Sequence, residues 1–352
     1  MFEVVTLAET PKWMAAFCAL PEEWRDIHFR PDYYRSHETS DQRAMCAILR
    51  DDRGTALYPF LRCAITDAAL VPSGEQWFDL QGALGYNGMA ASTDAADFLA
   101  EFHRQFADYC RANSVVAEMT RLNPALGNER FVAGAMSVST VNRNVIVDLT
   151  LSEEELWQRS YVHAARKQVK KGRRHGLATK VLQMPEGLEG FYSIFDHTME
   201  RNQAVPAAWH SPSYFERLAA QCPDGVLFYV TEHEGRPVAA ELVSKGSTTG
   251  YSFLGGTLAE AFPLAANDVL KHDIILDLKR RGLRRYCLGG GFAAGDSIHR
   301  YKQKFSTNGD VDFRIAGRVH QPVIYQRLID AWSSSYPERQ KLGQGKILPY
   351  RF

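Results

Sequence analysis

The pattern of apolar and polar residues predicts the same order of strands and helices twice along the chain. In the first half the predicted elements are a hairpin of strands over 44–49 and 56–65, a strand over 77–80, a helix over about 93–111 and a strand over 115–119. In the second half they are strands over 226–230, 237–243 and 250–254, a helix over about 263–281 and a strand over 285–288. This repeat predicts duplicated α/β domains.

The predicted domain boundary lies near residue 148, between a strand and the next helix. Ser152 and Glu155 stand in the reciprocal positions of a capping box, which marks the start of that helix. A length of 352 residues suits two domains, which we place at 1–147 and 148–317. We expect residues 318–352, which include a last helix, to pack back on the first domain.

Composition and charge narrow the class of protein. The 41 basic and 41 acidic side chains balance, so no net field attracts nucleic acid. The six cysteines are scattered without a C-x-x-C pair, which predicts reduced thiols and a cytoplasmic protein. No signal peptide or transmembrane segment is indicated. Zinc-binding and serine-hydrolase motifs are lacking in the sequence, and we predict no metal.

A lysine occupies the apolar side of a small helix near the end of the second repeat. If residues 296–305 are helical, Ile298, Tyr301, Lys302 and Phe305 stand at i, i+3, i+4 and i+7, on the stripe that faces the core. Two explanations are open for Lys302. Its stem can cover apolar surface while the charge reaches water, or the ammonium is held at a pocket, where it stabilises a developing oxyanion or binds phosphate.

Several short segments, together with the repeated element order, resemble the FemAB-like family of aminoacyl transferases. The segments are Phe78-Asp79-Leu80 with Gly85-Tyr86-Asn87-Gly88, Arg121-Leu122-Asn123-Pro124, Val147-Asp148-Leu149-Thr150 and the basic region after it, Thr198-Met199-Glu200-Arg201, residues 251–256, and Leu288-Gly289-Gly290 with Tyr301-Lys302-Gln303-Lys304-Phe305. The resemblance implies an α/β fold of two tandem acyl-CoA N-acyltransferase (GNAT)-like domains. Each would be a mixed, mainly antiparallel sheet flanked by helices.

The resemblance also implies amide formation. Family members transfer an amino acid from aminoacyl-tRNA to an amine of a peptidoglycan precursor, and more distant relatives acylate sugars or other envelope polymers. The family lysine that matches Lys302 stabilises the oxyanion. The sequence departs from the family in having Asn87 where Gly is usual and Tyr301 where Phe is usual, and it lacks a long coiled-coil arm. These departures concern the acceptor.

One residue is a candidate for removing the amine proton. Glu241 interrupts the apolar strand over 237–243, and burial of a carboxylate there would raise its pKa and favour a role as a base. An orientation toward solvent, and proton removal assisted by the substrate itself, remain as alternatives.

Candidate substrate contacts follow from the resemblance. Arg201 is implied near the acceptor's phosphates, and the further candidates are Tyr86, Asn87, Arg121, Tyr251 and His299. Each has a structural alternative: Arg201 is also a cation at a helix C-terminus, Tyr86 and Tyr251 are also ordinary strand aromatics, and Arg121 is also a loop anchor.

Two features of the sequence bear on the identity of the acyl donor: a basic segment, and the lack of a pyrophosphate-binding loop. Arg166, Lys167 and Lys170 lie in a basic stretch that could contact tRNA or pyrophosphate, or could be a solvated helix face; it has no interleaved aromatic residues. The pyrophosphate-loop pattern [QR]-x-x-G-x-[GA] occurs at 340–345, but no helix can follow in the seven remaining residues, so the match is coincidental.

The sequence therefore predicts a cytoplasmic acyltransferase without a cofactor, with aminoacyl-tRNA as co-substrate and a cell-envelope precursor as acceptor. Two alternatives stay open: acyl-CoA as donor to an amino sugar, and a non-catalytic module that binds glycan or phosphate. A peripheral membrane contact is left open, and the sequence does not determine the oligomeric state.

Overall fold

The computed structural model describes residues 1–184, 186–205, 209–293 and 295–351. The chain divides into two compact units. Unit 1 consists of Met1–Val141 and Phe313–Phe352, and unit 2 of Asn142–Asp312. The boundaries fall a few residues before those expected from the sequence, within two strands rather than at their ends.

The strands are β1 Phe2–Thr6, β2 Gln42–Asp51, β3 Gly54–Ala64, β4 Phe78–Gln81, β5 Ala90–Ala91, β6 Val115–Arg121, β7 Ser137–Asp148, β8 Ala178–Val181, β9 Val226–His233, β10 Arg236–Lys245, β11 Thr249–Thr257, β12 Arg285–Gly289 and β13 Asp310–Val319. The α-helices are α1 Thr10–Cys18, α2 Pro31–Arg35, α3 Ala96–Ala112, α4 Glu153–Glu155, α5 His163–Arg174, α6 Leu188–Arg201, α7 Pro212–Gln221, α8 Ala266–Arg280, α9 Ser297–Gln303, α10 Pro322–Ser335 and α11 Gln340–Gly343. A π-helical turn, Leu156–Ser160, follows α4.

Unit 1 is built on a sheet in the order β1-β2-β3-β4-β6-β13. The pairs are antiparallel except β4 with β6, because α3 connects those two strands and returns the chain in the same direction. The α3 side chains Phe98, Phe102 and Phe106 are buried at four-residue spacing and form its apolar stripe.

The chain terminus completes unit 1. Asp79 on β4 is fully buried, accepts a hydrogen bond from Tyr350 Oη at 2.8 Å, and is paired with Arg351 Nε at 2.9 Å. The C-terminal segment is therefore fixed by a buried charge, which explains why so short a tail has a defined position.

Unit 2 is built on a sheet in the order β7-β12-β11-β10-β9-β8. The parallel pairing of β11 with β12 runs from Thr249/Arg285 to Tyr251/Cys287, whereas β11 continues beside β10 to Thr257. Beyond that point β12 keeps its antiparallel partner β7. The two central strands thus diverge and open a cleft between them.

Helix α8 fills one side of this sheet. Its side chains Val269, Leu270, Ile274, Ile275 and Leu278 are fully buried, and each contributes about 1.5–3 kcal/mol of burial free energy. The predicted start of this helix near residue 263 is three residues early. Ala265 takes a left-handed conformation with φ of 63°, so helical geometry begins after it.

Candidate active site

The cleft in unit 2 contains a pocket of about 390 Å³ between β10, β11, α6, α8 and α9. We call it the reaction pocket and define it by five of the polar side chains on its wall: Arg201, Glu241, Ser252, Lys271 and Lys302. Its volume lies within the range of small-molecule sites. The pocket therefore collects Lys302, Glu241 and Arg201, three of the residues singled out from the sequence.

Helix α9 holds Lys302 through anchors at its start. The Asp296 carboxylate accepts hydrogen bonds from the backbone N–H of His299 at 2.8 Å and of Phe292 at 2.7 Å, which caps the helix and lowers the pKa of Asp296. His299 Nε2 lies 2.9 Å from Asp310 Oδ1 on β13. These contacts fix the direction in which Lys302, three residues further on, leaves the helix.

The Lys302 ammonium is held by a backbone oxygen at the pocket wall. Its Nζ donates a hydrogen bond to the carbonyl of Gly290 at 2.6 Å. Burial lowers the pKa of Lys302 to about 8, and the neighbouring charge of Lys271 lowers it further in the same direction. The group is thus still mostly protonated at neutral pH and presents a positive charge to the pocket.

Glu241 is not the isolated base predicted from the sequence. Its side chain is 7% exposed, its Oε2 is paired with Lys271 Nζ, and its Oε1 accepts a hydrogen bond from Tyr286 Oη. Both carboxylate oxygens are engaged by donors, one of which is an ammonium group. This corrects the sequence expectation, because a carboxylate with two donors is not free to collect a proton from a substrate.

Lys271 is a functional-site residue that the sequence reasoning missed. Its Nζ also lies 3.2 Å from Ser252 Oγ and 3.4 Å from Tyr286 Oη, and its side chain is 4% exposed. The signal was present, since residues 271, 274, 275 and 278 stand at i, i+3, i+4 and i+7, the spacing that drew attention to Lys302. The long apolar run of α8 concealed it.

Arg201 reaches the reaction pocket from the last turn of α6. Its Nη1 donates to the Thr257 carbonyl at 2.8 Å, and its guanidinium lies 5.0 Å from the centre of the Phe262 ring. A side chain on Gly256 would overlap with Thr198, so this glycine lets α6 approach β11 closely. Within the described residues the other guanidinium N–H groups of Arg201 have no acceptor, which leaves donors for a ligand.

Two candidates for substrate contact are buried instead. Tyr251 is 1% exposed on β11, and His299 is 3% exposed, with Nδ1 accepting from the Gly295 N–H at 3.1 Å. The structure contradicts direct substrate contact by either side chain, because neither presents surface to the pocket. His299 instead positions α9.

The remaining candidates, Tyr86, Asn87 and Arg121, lie together in unit 1. The Asn87 backbone N–H donates to the Arg121 carbonyl at 2.6 Å, and the Tyr86 ring packs 5.7 Å from that of Phe313. Asn87 is fully buried and its Nδ2 donates to the carbonyl of Ala83 at 2.9 Å, so it is a structural residue and not a ligand contact. Burial lowers the pKa of Arg121, which is half-buried.

The basic stretch lines a second cavity of unit 2, with a volume of about 790 Å³. We call it the basic cavity; its wall includes Trp157, Lys167, Lys170, Arg174 and His272, together with Arg166 and Arg173. Trp157 brings an aromatic ring to the stretch, which the sequence spacing did not indicate because the ring comes from the preceding π-helical turn.

Arg166 has a structural role in this wall. Its Nη1 donates to the carbonyls of Trp157 at 3.0 Å, Gln158 at 3.2 Å and Tyr161 at 2.7 Å. These oxygens belong to the π-helical turn and its end, where backbone acceptors lack α-helical partners. Arg166 therefore braces the backbone through Nη1 while it lines the cavity, and Lys167 and Lys170 are exposed on the same helix.

Three further observations concern metal ions, the segment before α8 and membranes. Within the described ranges, no group of three or more His, Cys, Asp or Glu side chains is placed to hold a metal ion. The segment between β11 and α8, residues 258–265, contains no glycine and ends in the left-handed Ala265. Among the helices of the described part of the chain, none has the length and apolarity needed to cross a membrane.

Comparisons with known proteins agree with this geometry. Residues 159–303, inside unit 2, match the family described as Acetyltransferase (GNAT) domain. A search of curated proteins finds no match. Among solved structures, the chain is similar to FemX, with a TM-score of 0.66, 11% identity, and coverage of 93% of this chain and 99% of that one.

Two other structures share the fold. One is the C-terminal domain of a putative lysylphosphatidylglycerol synthetase from Agrobacterium fabrum, with a TM-score of 0.55, 14% identity, and coverage of 94% of this chain and 97% of that one. The other is a tandem GNAT protein from the clavulanic acid biosynthesis pathway, with a TM-score of 0.51, 11% identity, and coverage of 92% and 99%.

The domain match and the shared fold define the class of protein: residues 159–303 match a GNAT acetyltransferase domain, and the chain has the fold of a tandem GNAT protein. The predicted arrangement of two tandem GNAT-like units is confirmed. The chain also shares the fold of FemX, as the resemblance of its sequence segments implied.

Proposed function

We propose that this protein forms an amide bond by moving an aminoacyl group from aminoacyl-tRNA to an amine of a cell-envelope precursor. The observation that carries the proposal is the Lys302 ammonium, held at the wall of the reaction pocket by the Gly290 carbonyl. The structural similarity to FemX and the FemAB-like sequence segments support the choice of donor and acceptor.

The reaction needs a fixed cation beside the carbonyl that is attacked. The amine nitrogen forms a bond to the ester carbonyl carbon, and the carbonyl electrons move to oxygen as a tetrahedral oxyanion. Lys302 stabilises that charge. The oxyanion then collapses and the C–O ester bond breaks. The amine loses one proton, and the leaving ribose oxygen gains one to become a hydroxyl group.

We assign no protein base to that proton. Glu241 has both oxygens occupied, and the leaving ribose oxygen needs a proton at the step in which the amine gives one up. Transfer between the two substrate groups, directly or through one water, balances the step. The acceptor amine must enter uncharged, after losing its first proton to solvent.

The segment before α8 favours an RNA ester over a CoA thioester. CoA-dependent acetyltransferases hold pyrophosphate with a glycine-containing loop at the start of this helix, and residues 258–265 contain no glycine. The match to the GNAT family keeps acyl-CoA as the second candidate donor.

Arg201 provides a guanidinium group that binds a phosphate of the acceptor. One of its amino groups is used by Thr257, and the planar fork leaves donors for two phosphate oxygens at the rim of the pocket. A nucleotide-linked or lipid-linked envelope precursor made in the cytoplasm carries both a phosphate and an amine, and it fits this pairing of Arg201 with Lys302.

The test is a transfer assay with mass-spectrometric detection of the amide product. The donors are an aminoacylated minihelix RNA and acetyl-CoA, each offered with a peptidoglycan precursor and with glucosamine. We expect product from the RNA ester and the envelope precursor, and Lys302→Ala should lower kcat by about 10²–10³-fold. Lys180→Ala, which removes an exposed lysine of β8, is the matched control.

Each result has a separate meaning. Product from acetyl-CoA alone would refute aminoacyl-tRNA as the donor, whereas the assignment of acyltransferase activity would stand. Full turnover by Lys302→Ala would show that Lys302 does not stabilise the oxyanion. Retained affinity for the precursor without any turnover by the wild-type protein would favour a binding module.

A further inference from the structure

Ser252 enters the reaction pocket where β11 leaves its regular pairing with β10. The register of the two strands shifts between Ser252 and Leu254, so Phe253 is an extra residue of β11 without a partner on β10. A bulge of this kind bends the strand and redirects its side chains. The partly buried Ser252 side chain contacts Lys271 on α8, and it lies on the wall of the same pocket as Lys302.

The hydrogen bonds around Lys271 have only one possible direction. An ammonium group has three hydrogens and no lone pair, so it can only donate. Its three hydrogens go to Glu241 Oε2, to Ser252 Oγ at 3.2 Å and to Tyr286 Oη at 3.4 Å. The Tyr286 hydroxyl in turn donates to Glu241 Oε1. Ser252 is therefore an acceptor in this network, and its own hydrogen is not used by Lys271 or Glu241.

The Ser252 hydroxyl keeps one donor and one acceptor for the pocket. A serine oxygen has one hydrogen and two lone pairs, and Lys271 occupies one lone pair. Burial and the Glu241 carboxylate raise the pKa of Tyr286, and the nearby Ser252 hydroxyl acts in the opposite direction. No hydrogen bond joins these two hydroxyl oxygens, however, and within the described residues the Ser252 hydrogen has no other acceptor. A donor and an acceptor on one oxygen are the two functions that a proton relay requires.

The proposed reaction has a proton to move between two substrate atoms. The attacking nitrogen must lose a proton, and the leaving ribose oxygen must gain one. Both atoms are bonded to the tetrahedral carbon whose oxyanion Lys302 stabilises, so both lie in the pocket that Ser252 lines. Direct transfer between them passes through a strained ring of four atoms, whereas a hydroxyl group between them enlarges the ring to six.

We propose that Ser252 is a catalytic residue whose hydroxyl relays this proton from the attacking amine to the leaving oxygen. As the C–O ester bond breaks, the amine proton moves to Ser252 Oγ and the Ser252 hydrogen moves to the ribose oxygen. Ser252 is a neutral hydroxyl before and after the step, so no net base is consumed and Glu241 keeps both of its donors. The inference rests on the proposed ester donor and adds the path of its proton.

The test compares two donors of one amino acid that differ in the leaving group, a minihelix RNA ester and a pantetheine thioester. Single-turnover rates with the peptidoglycan precursor exclude product release from the measurement. A thiol, with a pKa of roughly 8.5, leaves as a thiolate and needs no relayed proton, whereas a ribose oxygen does. Ser252→Ala should slow transfer from the ester by about 10²-fold and transfer from the thioester by less than about threefold. Ser252→Thr, which keeps the hydroxyl, should retain most of the ester rate.

Two further variants are controls. Ser247→Ala changes an exposed serine of the turn before β11, outside the pocket wall, and should leave both rates unchanged. Lys302→Ala should slow transfer from both donors, because both pass through an oxyanion. Urea unfolding curves establish that each variant is folded.

The outcomes separate the relay from the proposed function. Ester transfer by the wild type that Ser252→Ala leaves unchanged would overturn the relay alone. Equal slowing of both donors would also overturn it, because the loss of a structural or oxyanion contact does not depend on the leaving group. Amide formation by the wild type from the thioester but not from the RNA ester would refute the proposed donor, and the relay with it, since no oxygen would leave.

Discussion

Lys271 and Lys302 line one pocket but are held by groups of different charge. Lys271 is paired with the Glu241 carboxylate, whereas Lys302 donates to the carbonyl of Gly290. The paired ammonium lowers the pKa of the other, after the larger effect of burial. The pocket therefore contains one ammonium paired with a carboxylate and a second, that of Lys302, whose pKa is lowered to about 8.

The first prediction concerns this coupling. Lys271→Met removes the positive neighbour, so the pKa of Lys302 should rise above its value of about 8. Competitive acetylation of Lys302 with acetic anhydride across pH, followed by peptide mass spectrometry, measures this pKa without a substrate. Lys271→Met with Glu241→Gln should give a smaller rise, and exposed Lys180 serves as an internal reference. An unchanged pKa in both variants would show that the two lysines are independent.

The second prediction is that the pH profile of kcat has a descending limb on the alkaline side. Stabilisation of the oxyanion needs the protonated form of Lys302, so kcat should fall as the pH rises through about 8. Lys302→Arg, which stays charged across this range, should lower kcat but remove the limb. The pH profile of kcat under saturating substrates is the measurement, and a limb that survives in Lys302→Arg would have another origin.

The third prediction concerns the stability of the buried pair. Lys271→Met alone leaves Glu241 buried without its cation, and it should reduce the free energy of unfolding by about 3–5 kcal/mol. Adding Glu241→Gln should restore most of that loss, because the amide oxygen still accepts from Tyr286. Urea unfolding of the singles and the double provides the comparison, and additive losses would argue against the pair.

The fourth prediction uses Asp268, a buried carboxylate on α8. Its Oδ1 has no hydrogen-bond partner within the described residues, and burial raises its pKa from 3.8 to about 6. The folded state then binds the proton more tightly than the unfolded state, so stability falls as the pH rises from about 4 to about 6. Asp268→Asn should raise the free energy of unfolding by about 3 kcal/mol at pH 7.5 and leave it unchanged near pH 3.5. An equal effect at both pH values would contradict the assignment.

The fifth prediction tests the C-terminal anchor of unit 1. Arg351→Ala removes the cation beside Asp79, whose pKa is already raised by burial, and should cost about 3 kcal/mol of unfolding free energy at pH 8. The loss should shrink toward acid pH, because the raised pKa of Asp79 lets the carboxylate take up a proton there. Arg339→Ala, which changes an exposed arginine of the same C-terminal region, is the control. Equal losses from the two variants would show that the tail is not held by this pair.

Much of the fold followed from the sequence because its signals are local. Strand alternation, the helical stripes and the Ser152–Glu155 capping box depend on residues a few positions apart, and the structure contains that cap. The position of Lys302 on the inner stripe of α9 followed in the same way, since helical spacing alone decides which side chains share a face.

The amino-acid sequence alone predicts the repeated order of elements and the lysine that the second unit turns toward its cleft, because both depend on local periodicity. The partners depend on tertiary packing: Glu241 meets Lys271 and Tyr286, which lie 30 and 45 positions further along the chain, and Trp157 reaches the basic cavity from a separate turn. It also buried Tyr251 and His299, which motif matching had placed against substrate. The physical reason is that periodicity fixes which face a side chain occupies, whereas contacts between distant segments depend on how the strands and helices pack.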